Sequence, residues 1–323
     1  MNKKILLHTL AAAGVSVLFS CCDEIEPPYK EDTGITAGDT NCTFPVLPSA
    51  VYRKVLVEDY TGHLCGYCPD AARAIYAVGG LKDLYGDTVI SVVVHASPGQ
   101  TFTETCPPHS YPSGAAAFAP VYTEDFRTPA GETWLVDFAI PSNPKGMVSR
   151  TPYNGNVPLA WTDWNTAVSF VIDTPAADAA IQIVNTYDIG NGDLNICIKT
   201  TFLSALSGDY KLSVLLVEDS IHAWQVDYDI VPPVPPLYQN DTNYIHKHVL
   251  RGAINSTYGE AIQTGGAAAG DTAVKSYKVN LLNLPATVNP LNPALNISHC
   301  IVIAFVYDAA TKEVLQVEEA EVQ

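Results

Sequence analysis

A pair of cysteines set between two strand-like runs constrains this chain more than any other feature. The run VYRKVLVEDYTG, residues 51–62, suits a buried strand and closes in a Gly turn. HLCGYCPDAARAIY follows, with Cys65 and Cys68 three apart and Pro69 where a first helical turn tolerates it. DAARAIYAVGGLKDLYG then reads as an Ala-rich helix with a Gly-Gly interruption and a final Gly stop. DTVISVVVHAS, residues 87–97, is a second strand, nearly unbroken in β-branched residues, as expected when both faces are covered. Strand, helix, strand in this order is a right-handed unit and predicts an α/β layer.

Three chemistries are open to such a pair: thiol exchange, half of a zinc site, or a closed structural loop. Zinc needs two more thiol or imidazole ligands, and no second close pair follows. Cys106 would have to return from a long loop, with His63 or His95 as the fourth ligand. Placement before a helix favours exchange. Unpaired N–H groups at a helix start stabilise a thiolate, which lowers the pKa of the first cysteine. Cys65 would then attack a substrate disulfide, and Cys68, one turn in, would resolve the mixed disulfide.

The N-terminal segment and the cysteine usage lead us to expect a chain exported from the cytosol. Residues 1–20, MNKKILLHTLAAAGVSVLFS, are a basic start and an apolar run too short for a lasting membrane span, and read as an export signal. Cys21 follows Leu18, Phe19 and Ser20, which resembles the cleavage site of bacterial lipoproteins, so Cys21 is the expected lipidation site. Membrane contact would then be through the N-terminal lipid only. Residues 21–48 form an expected flexible acidic stalk. Its first acids resemble the surface-export tag of Bacteroidetes lipoproteins. Seventeen basic and 34 acidic residues become 15 − 34 = −19 once Lys3 and Lys4 leave with the signal. That charge repels nucleic acid, which is excluded as a partner. Beyond Cys21 seven cysteines remain, an odd number in a compartment that permits disulfides.

Two parts are expected. Residues 49–174 hold the α/β part, with a long insertion over about 98–133 that has little periodicity. A loop around Pro141 and Pro144 leads to a short strand, Gly146 to Arg150, and WTDWNTAVSFVID has helical spacing. From about 175 to 323 the chain is strand after strand: AAIQIVNTYD, LNICIKTTFL, YKLSVLLVED, HKHVLRG, AVKSYKVNLL, HCIVIAFVYD and EVLQVEE. This predicts an all-β sandwich of immunoglobulin-like type. Cys197 and Cys300 lie in two of these strands and would either cross-link the two sheets or stay as separate buried thiols. In HKHVLRG, His246 and His248 alternate and would project from one face. Solvent-facing or packing roles explain that pair better than a metal, and no metal or organic cofactor is expected.

VLVEDYTGHLCGYC resembles the active-site strand and turn of thioredoxins. The resemblance implies a buried acid six residues before the first cysteine, which here is Asp59, as proton acceptor for Cys68; Glu58 beside it is the competing inward acid. It also implies a cis-proline loop facing the cysteines, best matched by Pro144 ahead of Pro141 and Pro152. Leu64 stands where thioredoxins usually have tryptophan, and Gly66-Tyr67 replaces Gly-Pro, which puts general reductase activity in doubt. His63, and His95 at the carboxyl end of the second strand, would either lower the Cys65 pKa as imidazolium or serve the turn as hydrogen-bonding groups. Cys106 and His109 sit on the insertion.

Taken together, VLVEDYTGHLCGYCPDA, VVVHASPG, DFRTPAG, NPKGMVSR, LSVLLVEDSI and YIHKHVLRG resemble the outer-membrane-protein-28-related lipoproteins of Bacteroidetes over roughly residues 50–320. That resemblance implies an outer-membrane lipoprotein at the cell surface or periplasmic face, with a thioredoxin-like part and a β-rich part. Two functions remain open. One is thiol–disulfide exchange on exported proteins. The other is non-catalytic binding or adhesion to surface proteins, peptides or glycans, with the disulfide as a clip.

Overall fold

In the computed structural model, which describes residues 36–38, 42–105, 122–173, 176–230, 239–284 and 293–323, the first long strand is β2, Val55–Thr61, after a two-residue strand β1, Thr36–Ala37. All seven β2 residues are buried, and so are all seven of β3, Val89–His95, which pairs with β2 in parallel. Two helices connect them. The first, α1, spans Cys68–Tyr76, and the Gly79-Gly80 interruption separates it from α2, Leu81–Tyr85. Pro129–Asp137 forms α3, whose start is fixed by Thr128 accepting from the Gly131 N–H at 3.1 Å. The expected insertion therefore ends inside this helix, whose first five residues, 129–133, belong to it. The short strand β4, Lys145–Val148, runs antiparallel to β2, and α4, Trp164–Ile172, follows where the Trp and Val spacing predicts it.

The β-rich part supplies β5 (Ala179–Asp188), β6 (Asp193–Phe202), β7 (Tyr210–Glu218), β8 (Ile221–Val226) and β9 (Asn240–His246). It continues with β10 (Val249–Ala253), β11 (Glu260–Gln263), β12 (Thr272–Asn280), β13 (Cys300–Asp308) and β14 (Val314–Glu321). One mixed sheet runs β14-β13-β7-β10-β3-β2-β4, with β11 added beside β7. The sheet thus crosses residue 175, the place where the sequence suggests a boundary. Its junction is the parallel β10–β3 contact, where Val93 N–H donates to His248 O at 2.8 Å. The sheet also curls: Val314 N–H donates to Ser149 O at 2.8 Å, and the Gln316 side chain bonds the backbone of Tyr52 and Lys54.

Period-two alternation assigns the two faces. Leu56, Tyr60, Ile90, Val92, Leu215 and Phe305 share a core with Trp134 and Leu135 of α3. On the opposite face, Val55, Val57 and Val89 meet Ala71, Ile75 and Trp164 of the other helices. The same side of β7 and β13 is covered by a four-stranded antiparallel sheet, β1-β12-β6-β5, through Leu194, Ile196, Ile198 and Val279. Mixed sheet, helices and antiparallel sheet give a core consistent with a thioredoxin-like unit joined to a β-sandwich.

Three expectations are corrected. The stretch 21–48 is not a free stalk along its whole length: Thr36–Ala37 pairs with β12, and Cys42 is bonded to Cys197. Cys197 accordingly does not reach Cys300. In β6 the residues at 194, 196 and 198 face the sandwich, so Cys197 faces outward, whereas Cys300 is buried in the sandwich core. HKHVLRG is not one strand, because His248 adopts a left-handed backbone (φ 47°) between β9 and β10. His246 ends in the buried interior and His248 instead bonds Asp219 at 2.9 Å, so the two imidazoles do not share a face. Cys21, Cys22, Cys106 and His109 lie outside the described residues.

Candidate functional site

The cysteine turn leaves the carboxyl end of β2 and enters α1. Cys65 N–H donates to Gly62 O at 3.0 Å and Cys68 N–H to Cys65 O at 3.2 Å. Cys68 is the first helical residue and Cys65 lies one turn ahead of it, with its own amide already paired. The two are joined in a disulfide, with Cα atoms 5.4 Å apart. Both cysteines are buried, exposed by 2% and 3%.

Their cover comes from two directions. From the insertion, Phe102 O accepts from Leu64 N–H at 3.0 Å, and Glu104 O lies 2.9 Å from His63 Nε2. From the β-rich part, the end of β8 and the residues after it lie along the turn. Val226 N–H donates to His63 O at 2.8 Å and Tyr228 N–H to Gly66 O at 3.1 Å. The Gln225 amide donates to Gly62 O at 3.2 Å and Cys65 O at 3.0 Å. Tyr228 packs so closely that a Cβ on Gly66 would fall 2.4 Å from its ring, and it meets the exposed Tyr67 edge-on at 5.0 Å. Arg73, five residues after Cys68, fastens this segment to α1 through Asp227 at 2.9 Å and Asp229 at 2.6 Å. Sequence reasoning missed Gln225, Tyr228 and Arg73. The alternation in IHAWQV and the acid pair in DYD were the available signals.

The other expected residues are placed as follows. Glu58 and Asp59 are both buried because both faces of β2 are covered. Glu58 faces the α3 side and holds Arg150 through two hydrogen bonds of 2.8 and 2.7 Å. Asp59 faces the α1 side, its Oδ1 has no hydrogen-bond partner, and burial pushes its pKa up to about 8. The Asn143–Pro144 bond is cis, and Lys145 pairs with Tyr60, so Pro144 stands beside the end of β2 from which the cysteine turn departs. His95 sits opposite Thr61, packed against Phe126 (4.6 Å) and His246 (5.4 Å). Burial, and then His246 and His63, push its pKa well below the ordinary imidazole range. A neutral His95 supplies no positive charge to Cys65. His63 is shifted the same way by burial and stacks on Tyr122 at 5.2 Å. Among the described residues no group of three or more His, Cys, Asp or Glu side chains could hold a metal, and no helix is long and apolar enough to cross a membrane.

A disulfide-bearing β–α–β corner in a mixed sheet, roofed by antiparallel strands, defines the class. The chain belongs to the Outer membrane protein Omp28 family, matched over residues 136–323. Among solved structures it is similar to a domain of the outer membrane lipoprotein Omp28 from Porphyromonas gingivalis, at 21% identity, 46% of this chain, 89% of that one and a TM-score of 0.29. A FixG-related protein from Vibrio parahaemolyticus matches at 9% identity, 45% and 97% coverage and a TM-score of 0.22. A β-glucosidase involved in saponin metabolism from intestinal bacteria matches at 12% identity, 46% and 17% coverage and a TM-score of 0.20. No curated protein sequence matches the chain.

Proposed function

We propose that this protein is a non-catalytic binding or scaffold component of the bacterial outer membrane, built on a thioredoxin-like unit whose CxxC pair serves as a structural clip. One observation carries the reading: the chain's own residues 225–228 hydrogen-bond along the cysteine turn, in which both cysteines are buried. In a thioredoxin-like arrangement that place, opposite the cis-proline loop, is where a substrate peptide would lie. The four-stranded sheet over β7 and β13 is the part we read as an immunoglobulin-like sandwich, offering an exposed outer surface to exported proteins, peptides or glycans. Lipid attached at Cys21 would hold the protein to the membrane.

A second reading, thiol exchange after the 225–230 segment lifts, is favoured by Asp59. This carboxyl lines one cavity with Cys68, and burial raises its pKa to about 8, close to that of a thiol, so in its ionised form it is basic enough to take the resolving thiol's proton. Cys65 would attack and Cys68 resolve. The two readings separate in one experiment. Cys68→Ser protein, incubated with oxidised envelope extract, should trap no mixed disulfide, and envelope partners captured by the wild type should still be captured by Cys65→Ser. A trapped partner lost on Cys65→Ser would overturn the clip.

A further inference from the structure

Behind the disulfide, between α1 and β9, lies a cavity of about 250 Å³. A single water occupies roughly 30 Å³ of liquid, so the space suits a small organic molecule. Its floor is made of buried residues: Asp59, Thr61, Cys68, Val93, Gln225 and His246. Its mouth carries partly exposed ones, among them Ala72, Arg73, Ile245 and Lys247. Tyr76 and Tyr244 form aromatic walls.

Two floor groups have polar atoms that the protein itself does not satisfy: Asp59 Oδ1 and His246 Nε2. Their protonation states follow from their surroundings. Asp59 keeps its proton at neutral pH because burial pushes its pKa up to about 8, so it offers an O–H. Burial and then His63 hold His246 down to about 3, so its ring is neutral. The backbone carbonyl of Trp224 accepts from the ring nitrogen that remains, which leaves Nε2 as an acceptor. A floor with one neutral donor and one neutral acceptor rejects ions, since a buried unpaired charge is costly. It rewards a group that both accepts and donates, which a hydroxyl does. Apolar and aromatic walls with a few convergent polar atoms are the usual make-up of a small-molecule site.

We propose that this cavity binds a small, neutral, hydroxyl-bearing aromatic molecule, its ring between Tyr76 and Tyr244 and its hydroxyl groups toward Asp59 and His246. Asp59 and Cys68 line this cavity whether the disulfide is a permanent clip or turns over, so the proposal does not depend on which function holds. The test is calorimetric titration of the full chain with resorcinol, beside m-xylene, which has the same shape and no hydroxyl. Resorcinol should saturate a single site, with m-xylene at least tenfold weaker. Ile245→Trp, at the exposed mouth, and Ala72→Trp should each weaken resorcinol at least tenfold while the circular dichroism spectrum is unchanged; should Ala72→Trp not fold, the exposed Ile245→Trp decides alone. No saturable resorcinol binding, equal affinity for m-xylene, or full binding by a folded Ile245→Trp would each overturn the proposal.

Discussion

Replacing Arg150 with Met probes the core that joins the two parts of the chain. Arg150 and Glu58 are each 1% exposed and share two hydrogen bonds of 2.8 and 2.7 Å. The guanidinium also lies over Phe138 at 4.7 Å, Phe305 at 5.0 Å and Trp134 at 5.6 Å. Glu58 belongs to β2 and Phe305 to β13, so one cation ties strands from both sides of residue 175. Met fills much of the same apolar volume, so the loss falls on the carboxylate left buried without its partner. Removing one member of a buried ion pair costs about 3–5 kcal/mol. At roughly 2–4 °C per kcal/mol for a chain of this class, the midpoint should fall by about 6–20 °C. Pairing Arg150→Met with Glu58→Leu removes the stranded charge and should restore most of the loss. Urea and thermal unfolding, followed by far-UV dichroism and tryptophan fluorescence, read both variants. A loss below about 1 kcal/mol for Arg150→Met, or a double variant no better than the single one, would refute the reasoning.

Three further outcomes are expected. Gly66→Ala puts a methyl into the Tyr228 ring and, at about 1–3 kcal/mol of overpacking, should speed reduction of Cys65–Cys68 by dithiothreitol roughly tenfold; an unchanged rate would mean that the 225–230 segment does not gate the sulfurs. Arg73→Met removes partly exposed ion pairs to Asp227 and Asp229, together about 1 kcal/mol after solvent screening, and should speed the same reaction about fivefold. Asp59→Asn addresses pH: the folded protein holds this proton to about pH 8, while an unfolded aspartate releases it near 3.9. Stability from this group is therefore complete below about pH 4 and is lost as pH rises toward 8, by about 4 kcal/mol at pH 7. The stability difference between Asp59→Asn and wild type should grow across that window in urea titrations. A difference that stays flat with pH would contradict the neutral Asp59.

Local pattern made half of this fold legible. The β2–α1–β3 unit stands out because both strands are continuous apolar runs and Pro69 marks the helix start. Most strands of the β-rich part can be read singly from alternation, as in LNICIKTTF, where every second residue is buried. Which strands join is another matter. The β10–β3 contact brings together residues about 150 positions apart, and nothing in either segment names the other. The same non-locality hid the 225–228 cover. Gln225 serves the cysteine turn through its side-chain amide, a contact that has no periodic signature. The sequence left Cys197 open between a bond to Cys300 and a separate buried thiol, and neither reading named Cys42, because face, not chain distance, decides pairing: alternation sends Cys197 outward to Cys42 and Cys300 inward. At the site, Asp59 was legible from its spacing to the cysteines, whereas burial of the sulfurs depends on residues far along the chain.

The most direct measurement is the rate at which dithiothreitol opens Cys65–Cys68 in the folded protein, read by alkylation and mass spectrometry against the same bond in urea. A covered clip should open at least about a hundredfold more slowly when folded, the slowing expected if roughly 3 kcal/mol must be spent to lift the 225–230 segment, with Cys65 and Cys68 alkylated together. Folded and unfolded rates that coincide, with Cys65 labelled first, would show an open thiol site and contradict the account.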